Sequence, residues 1–407
     1  MSEPLTTRCA VAGGGPAGMM LGLLLARAGI EVVVLEKHRD FLRDFRGDTI
    51  HPSTLELMHE LGLLDAFLGL PHQKVTELKA RFGAAELTLA DFTHLPVHCR
   101  FIALMPQWDF LDFLAREAAR FPNFRLRMQA EVSGIIEESG RIVGLRADTP
   151  DGELELRADL VVGADGRHST VRQAAGLPAE ELGAPLDVLW FRLPRSRGDP
   201  GETAIRFAAG QLLVLLNRGD YWQAGYAIPK GSLEQIRAHG LPRLRGDVAD
   251  LAPFLRDRVG GLDDWEKIKL LTVRVDRLRR WYRSGLICIG DAAHAMSPVG
   301  GVGINLAVQD AVAAANILAG PLRNRTAAEA DLRAVQRRRE LPTRLIQQLQ
   351  LFVQNHVLAE VLAGRGRFRP PLLLRVMARF PGLRRLTARL IGIGIRPEHI
   401  RTPARRA

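Results

Sequence analysis

The sequence is short of cysteine and of the residue clusters that many enzymes use for catalysis. Its 407 residues include three cysteines, Cys9, Cys99 and Cys288, which stand far apart and form no CxxC pair. This spacing argues against a disulfide framework and against a metal site, and it favours a reducing compartment. No basic-then-apolar segment precedes Arg8, so we expect a cytoplasmic protein.

Net positive charge is absent from most of the chain and concentrated near its end. Residues 331–407 contain 17 arginines, no lysine and four acidic residues, a net charge of +13, whereas residues 1–330 carry a net charge of −2. The near-neutral body excludes a nucleic-acid-binding role for it. The basic amphipathic stretch over residues 372–395 has two readings. It either contacts an anionic membrane or packs on the body as a helical lid, which we favour.

A glycine-rich turn near the start predicts a nucleotide site. The turn lies between a predicted strand over residues 8–12 and a predicted helix over 19–28, and a second strand over 31–35 leads to Glu36. Glycines allow the tight turn and the close approach of a pyrophosphate to the helix N-terminus, while the carboxylate accepts hydrogen bonds from ribose. The residues expected at this site are Gly13, Gly15, Pro16, Ala17, Gly18, Glu36 and Lys37.

Further segments are placed to contact the same ligand. Gly163-Ala164-Asp165-Gly166 and Gly290-Asp291 each follow a predicted buried strand, and Gln107 begins a predicted helix. Residues 298–305 form a glycine-rich loop that runs into a helix, whose N-terminal N–H groups suit a ring that becomes anionic on reduction. Together these segments predict a chain that wraps around one FAD. Residues named here as contacts are Arg46, Gln107, Asp165, Asp291, Pro298, Gly301, Gly303, Ile304 and Asn305.

These motifs, in this order, resemble the para-hydroxybenzoate hydroxylase family of single-component, FAD-dependent aromatic monooxygenases. The resemblance covers about residues 8–318. It implies that Arg46 and Gln107 flank the flavin, that Asp165 serves FAD and NAD(P)H handling, and that Asp291 binds the ribityl chain. It also implies that NAD(P)H, as transient electron donor, binds without a second nucleotide domain, and no second GxGxxG occurs here in a strand–helix context.

The implied fold is α/β: a Rossmann-like FAD-binding domain with an inserted antiparallel β-sheet substrate domain and a helical C-terminal region. We expect the FAD-binding domain over residues 1–175 and 271–330, with the small elements near 70–110 facing the flavin. The substrate domain is expected over 176–270 and the basic helical region over 331–407. Ser53 and Glu56 have the spacing of a capping box, which predicts a helix N-terminus at Ser53.

Strands predicted between residues 188 and 228 would roof the flavin, with a hairpin turn at 217–220. Their apolar side chains are expected to enclose a hydrophobic or aromatic substrate. The expected wall residues are Trp190 or Phe191, Phe207, Leu213 and Tyr226, any of which could instead belong to ordinary sheet core.

No Ser-His-Asp set, carboxylate pair or metal-ligand cluster stands out, as expected when a flavin supplies the reactive atoms. The hypothesis is hydroxylation by NAD(P)H and O2 through a flavin C4a-hydroperoxide. Residues considered as a base or pocket group, by type alone, are Pro298, Tyr226, His51, His72 and His294. Alternatives are a flavin-dependent reductase of isoprenoid-type double bonds, a non-enzymatic FAD-retaining protein, and a halogenase. The last is disfavoured because Ala224 and Tyr226 replace the tryptophans of a Trp-x-Trp-x-Ile-Pro motif.

Overall fold

The structure is a computed structural model that describes residues 5–42, 48–83, 85–201, 203–362, 364, 370 and 372–404. The predicted cofactor contact Arg46, together with Arg43 and Gly47, lies outside the described residues.

A parallel sheet forms the centre of the molecule. Its inner strands contain continuous buried apolar runs at residues 9–12, 32–35 and 160–162, as expected when both faces of a sheet are covered by other elements. An antiparallel pair, Glu131–Glu138 and Arg141–Thr149, extends from the long central strand. In spatial order the parallel strands are Leu286–Cys288, Gly152–Gly163, Leu5–Ala12, Val32–Leu35 and Phe124–Arg127, and Tyr282–Arg283 pairs antiparallel at the edge.

Helices cover one face of this sheet. Their apolar stripes pack with the strands into one hydrophobic core. Gly22 allows the first helix to pack closely, since a Cβ there would lie 2.8 Å from the ring of Phe124. The short helix Thr170–Ala174 packs on the opposite face. Helices of the first face are Pro16–Arg27, Pro52–Glu60, Leu64–Leu68, Gln107–Ala118 and Gly303–Asn324.

A second, largely antiparallel sheet lies beside the first. The hairpin predicted at residues 217–220 is confirmed, with Asn217 opposite Trp222. Two strands from earlier in the chain, Glu77–Phe82 and Ala85–Asp91, join this sheet through a parallel pairing with Ala204–Ala208. In spatial order the strands are Lys269–Leu271, Leu186–Pro194, Tyr221–Pro229, Gln211–Asn217, Ala204–Ala208, Glu77–Phe82 and Ala85–Asp91.

The two faces of the second sheet have different neighbours. One face packs on the helix Leu233–Leu251, which is kinked at Gly240, and on short 3₁₀ turns. The other face packs on Val299 and on the end of a long C-terminal helix. This second face is therefore the one that meets the glycine-rich segment of residues 298–305. The 3₁₀ turns are Pro253–Leu255, Val259–Gly261 and Trp265–Lys267, and two further turns, Gly290–Ala292 and Val299–Gly301, lie at the parallel sheet.

The C-terminal region is helical, as predicted. The helix Glu329–Val353 continues as a π-helical turn, Gln354–Leu358, and then as Ala359–Leu362. Helices Leu372–Arg379 and Pro381–Gly392 follow and pack beside the strand Ala85–Asp91. The remaining strands form small sheets: Thr49–Ile50 with Ile102–Leu104 and Gln73–Val75, and Ala179–Glu181 with Asp276–Leu278.

The capping box predicted at Ser53 is wrong. The helix begins at Pro52, whose fixed φ suits the first helical position, and His51 is the N-cap. The Ser53 hydroxyl instead donates to Asn305, and Glu56 accepts from His98. A tertiary partner for the hydroxyl has replaced the local one.

Among the described residues, one helix, Val299–Asn324, is long and apolar enough by composition to cross a membrane. However, 83% of its apolar window is buried inside the protein, as in the core helix of a globular fold.

Candidate functional site

The three glycine motifs that are far apart in sequence meet at one edge of the parallel sheet. A Cβ on Gly13 would lie 2.4 Å from the carbonyl oxygen of Ala164, and one on Gly290 would lie 3.1 Å from Cβ of Ala17. Only glycine permits these backbone approaches, and both glycines have positive φ. The contacts join the first motif to the second and to the third.

The first motif forms a cradle suited to a pyrophosphate. No described atom lies within 4 Å of a Cβ built on Gly15, so the backbone there is open to a ligand. The helix that follows begins at Pro16, and no side chain of the described residues caps its N-terminus. Its N–H groups and partial positive charge therefore remain available for an anion.

Glu36 lies beside this cradle as predicted, and its carboxylate is held by the backbone. It accepts hydrogen bonds from the N–H of Gly14 at 3.0 Å and of His38 at 3.1 Å, and it is 8% exposed. Lys37 points away to solvent and pairs with Glu131 at 3.6 Å. Its role as a cofactor contact stays a prediction.

Asp165 is occupied by its own chain. Its carboxylate accepts from the Ser169 hydroxyl at 2.5 Å and from the N–H of Val171 at 3.1 Å, which fixes the start of the helix Thr170–Ala174. Burial raises the pKa of this carboxyl, against the opposing effect of those hydrogen bonds. The geometry gives Asp165 a supporting role, and its direct contact with cofactor stays a prediction.

Asp291 is more open. It is partly exposed in the turn Gly290–Ala292 and lies 3.5 Å from a guanidinium nitrogen of Arg167. Gln107 is also partly exposed, at the first position of its helix. Both side chains retain the freedom to meet a bound ligand, as the sequence predicts for them.

The loop over residues 298–305 is anchored to the strand that precedes the helix Pro52–Glu60. Gly300 and Gly301 have φ of +79° and +62°. The carbonyl of Gly301 accepts from the Thr49 hydroxyl at 2.7 Å and faces Nε2 of His51 at 3.0 Å. In the described structure, no side chain caps the helix that begins at Gly303. Its N-terminus is therefore the second uncapped one at this site.

The side chains of Ile304 and Asn305 are committed to the protein interior. The Asn305 amide oxygen accepts from Ser53 at 2.6 Å and from Thr54 at 2.8 Å, and all three residues are buried. Ile304 lies in the core of the parallel-sheet domain. Any contact of these two residues with a flavin would thus come from their backbone.

A buried ionic network missed by the sequence reasoning supports the third motif. Asp310 accepts from the N–H of Gly290 at 3.0 Å, from His294 at 2.5 Å and from Nε of Arg339 at 2.9 Å. Burial acts to raise the pKa of Asp310, but its interactions with His294 and Arg339 outweigh burial and hold that pKa below its usual range. The network fixes the turn that presents Asp291.

A second buried ion pair connects the second sheet to the small sheet that contains Thr49–Ile50. Asp48, directly before the strand Thr49–Ile50, pairs with Arg218 of the hairpin and accepts from Nε2 of Gln223 at 2.7 Å. Burial raises the pKa of Asp48 despite these partners. The hairpin turn was recognised from the sequence, but nothing in it indicated that its arginine returns to Asp48.

The wall residues predicted on the second sheet divide between its faces. Trp190 and Phe207 belong to the face that meets Val299. Trp190 crosses Gly225, where a Cβ would lie 3.0 Å from the indole ring. Both side chains therefore lie on the face that meets the 298–305 loop, and their role as pocket walls stays a prediction.

The predictions for Phe191, Leu213 and Tyr226 as pocket walls are wrong. Alternation along each strand sends these side chains to the opposite face, against the helix Leu233–Leu251. The Tyr226 hydroxyl donates to Asp247 of that helix at 3.3 Å, and burial raises the pKa of the phenol above its ordinary value. Tyr226 is therefore removed from the candidate catalytic groups.

The histidines offered as bases are also engaged within the protein. His294 is 1% exposed and bound to Asp310. His51 lies between the carbonyls of Gly301 and Ile391, and burial lowers its pKa to about 4. His72 contacts the carbonyl of Leu70. None of these three contacts directs a histidine ring toward the face of the second sheet that packs on Val299.

The profile of the FAD binding domain family matches residues 6–349. The chain belongs to this family. Its geometry fits FAD: an open glycine cradle, two uncapped helix N-termini and a carboxylate beside the first of them meet at one sheet edge.

Several relatives are named as monooxygenases, and one is named as a synthase. The chain is 32% identical to 6-methylpretetramide 4-monooxygenase of Streptomyces rimosus over 389 residues, 94% of this chain and 92% of the relative. It is 28% identical to dialkyldecalin synthase of Streptomyces rugosporus over 74% of this chain. The present chain covers 63% of the length of that synthase and 59–65% of the length of several other relatives. The protein is an FAD-dependent monooxygenase of the aromatic-hydroxylating class, with NAD(P)H as electron donor.

A solved structure shows the same fold. The anhydrotetracycline hydroxylase OxyS of Streptomyces rimosus superposes with a TM-score of 0.76 at 21% identity, over 96% of this chain and 77% of that one. The predicted fold class is confirmed: a parallel FAD-binding sheet, an antiparallel sheet and C-terminal helices.

The end of the C-terminal region packs on this monooxygenase's FAD-binding body. The carbonyl of Thr402 accepts from Arg27 at 2.9 Å, and the N–H of Ile400 donates to Glu60 at 2.8 Å. Glu398 pairs with Arg338 at 2.6 Å. These contacts hold the segment that follows the basic stretch of residues 372–395, whose own helices pack beside the strand Ala85–Asp91. Neither the structure nor the relatives support membrane contact, and the role of that stretch as a lid stays a prediction.

Proposed function

We propose that this monooxygenase hydroxylates a multi-ring, polyketide-type aromatic compound. The compound would bind between the 298–305 loop and the face of the second sheet that packs on Val299. The observation that carries the proposal is the apolar cluster on that face. It brings Trp190 and Phe207 of the sheet together with Val299 of the loop and Val357 and Leu358 of the C-terminal helix. A broad apolar surface with an aromatic platform suits a flat, extended substrate.

The relatives support the same substrate class. The names 6-methylpretetramide 4-monooxygenase and anhydrotetracycline hydroxylase both designate hydroxylases of multi-ring aromatic compounds. We therefore extend this class to the present chain as part of the proposal. The buried, unpaired cysteines suit the reducing cytoplasm, where we place the enzyme.

The domain assignment follows from the same proposal. Residues 1–175 and 271–330 bind FAD, residues 176–270 hold the substrate, and residues 331–407 complete both sites. Strands Glu77–Phe82 and Ala85–Asp91 extend the substrate sheet. When bound, FAD would supply the redox chemistry: NAD(P)H would provide two electrons, one oxygen atom of O2 would enter the substrate and the other would leave as water. The protein positions the ring and excludes water.

The test is aerobic NADH and NADPH oxidation by FAD-loaded protein with a panel of phenols, aromatic acids and multi-ring polyketides, with product masses measured in parallel. We expect a multi-ring compound to stimulate oxidation and to gain 16 mass units, about one oxygen atom. Saturation of a double bond without oxygen would establish the reductase instead. An isomer of unchanged mass would indicate a ring-forming activity, as in the name of the second relative. Halide incorporation would establish a halogenase.

A further inference from the structure

The long C-terminal helix carries buried glutamines that bind the main chain of the segment before the 298–305 loop. Gln347, Gln350 and Gln354 are spaced by three and four residues and so lie on one helix face. They are 0%, 4% and 0% exposed. A buried amide is unfavourable unless it is hydrogen-bonded, so side chains of this kind are bound to particular partners.

Gln350 contacts the loop itself. Its Nε2 donates to the carbonyls of Ser297 at 3.0 Å and Val299 at 2.8 Å, while its Oε1 accepts from the N–H of Ser297 at 3.2 Å. Gln354 adds a donation to the Ser297 hydroxyl at 2.8 Å, and that hydroxyl accepts from the N–H of Val299. One side chain thus fixes peptide groups on both sides of Pro298.

The loop has little regular structure of its own to hold it. Gly300 and Gly301 adopt left-handed backbone conformations, which lie inside a single 3₁₀ turn. Thr49 and His51 anchor the far end of the loop at Gly301. Gln350 anchors the near end, so the N–H groups between them are held in place before a ligand arrives.

We propose that Gln350, assisted by Gln354, is a positioning residue of the FAD site: it sets the conformation in which the 298–305 loop meets the flavin ring. The C-terminal helix is then part of the cofactor site, although its sequence carries no cofactor motif. This inference concerns FAD and the loop, and it does not depend on which substrate the enzyme hydroxylates.

The chain supplies a matched control one turn away. Gln347 is equally buried and donates to the carbonyls of Asp276 at 2.8 Å and Ala295 at 3.0 Å, with its Oε1 accepting from Arg277. These contacts stop short of the loop. Gln350→Leu and Gln347→Leu therefore remove similar numbers of buried hydrogen bonds, but only the first releases the loop.

The experiment measures FAD affinity by titrating apoprotein, the midpoint potential and visible spectrum of the bound flavin, and urea unfolding, all without substrate. We expect Gln350→Leu to raise the Kd for FAD about tenfold and to lower the midpoint potential, because the loop N–H groups stabilise the reduced, anionic ring less well. Gln347→Leu should leave Kd within about twofold and the potential unchanged at a similar loss of stability.

Two further variants keep the test decisive. Gln350→Glu retains the acceptor for Ser297 but replaces the donor by a carboxylate, and it should match Gln350→Leu. Gln354→Met removes only the bond to the Ser297 hydroxyl and should give an intermediate potential, even if Gln350→Leu does not fold. Wild-type Kd and potential in the Gln350 variants, or equal shifts in the Gln347 control, would overturn the proposal.

Discussion

Nε of Arg339 lies 2.9 Å from Oδ1 of Asp310, and neither side chain is more than 1% exposed. This buried pair connects the long C-terminal helix to the helix that follows the 298–305 loop. Arg339→Met would leave the buried Asp310 carboxylate without its guanidinium partner. We expect the free energy of unfolding in urea to fall by about 3–5 kcal/mol.

Arg344→Met is the control for this substitution, because Arg344 makes an exposed pair with Glu340 on the same helix. Loss of an exposed pair should change stability by less than about 1 kcal/mol. Equal effects of the two variants would show that burial of the Arg339 pair carries no special weight.

Glu36→Arg should abolish FAD retention. It places a cation where a carboxylate now holds the N–H groups of Gly14 and His38 beside the glycine cradle. Asp291→Ala should weaken retention without abolishing it. The ratio of flavin to protein absorbance after gel filtration measures both, with the exposed Arg39→Ala as control. Full flavin in both site variants would remove these residues from the cofactor site.

Trp190→Ala should impair multi-ring substrates most. The indole lies across Gly225 on the face of the second sheet that packs on Val299. Loss of this aromatic surface should raise KM about tenfold for a multi-ring compound and less for a single-ring compound. Gly225→Ala should act in the same direction, because the added Cβ would displace the ring. Steady-state kinetics on a size series measures the effect. An equal rise for every substrate would show that Trp190 makes no size-dependent contact.

Tyr226→Phe should leave kcat and KM within about twofold of the wild type. The substitution removes only a hydroxyl that binds Asp247 on the far face of the sheet, worth about 1 kcal/mol of stability. Thermal unfolding should register this small loss while turnover does not. A large fall in kcat would restore Tyr226 as a catalytic residue.

His51 should make stability depend on pH below neutrality. Burial lowers its folded-state pKa to about 4, whereas the unfolded value is near 6.5. As pH falls, the unfolded state therefore binds a proton before the folded state does. The contribution of His51 to the free energy of unfolding is complete above about pH 6.5 and decreases as pH falls from there to about 4. Compared with His51→Asn, the wild type should lose about 3 kcal/mol more across this window. Parallel pH profiles of the two proteins would contradict the assignment.

The sequence was sufficient to predict the cofactor domain because glycine motifs and apolar runs are local signals. Gly13, Gly15 and Glu36 lie where the turn chemistry placed them. The faces of the second sheet could not be predicted reliably, because a shift of one residue exchanges the two sides of a strand. Phe191 and Tyr226 were misplaced for this reason.

Tertiary polar contacts also remained invisible to sequence reasoning. Asp48 and Arg218 pair although they are 170 positions apart in sequence. The hydroxyl of Ser53 donates to Asn305 and does not cap its own helix. The glutamines at 347, 350 and 354 do share a helical face. Their spacing is the one signal by which the contact with the loop could have been recognised.

The contacts of residues 396–402 with the body of the protein affect how the chain folds during synthesis. Ribosomal synthesis delivers the glycine cradle first, yet Arg27 donates to the carbonyl of Thr402 and Glu60 accepts from the N–H of Ile400. The Arg339 pair and the glutamine contacts likewise come from the last quarter of the chain. These contacts therefore form only after the segment that contains residues 339–402 has been synthesised and has left the ribosome.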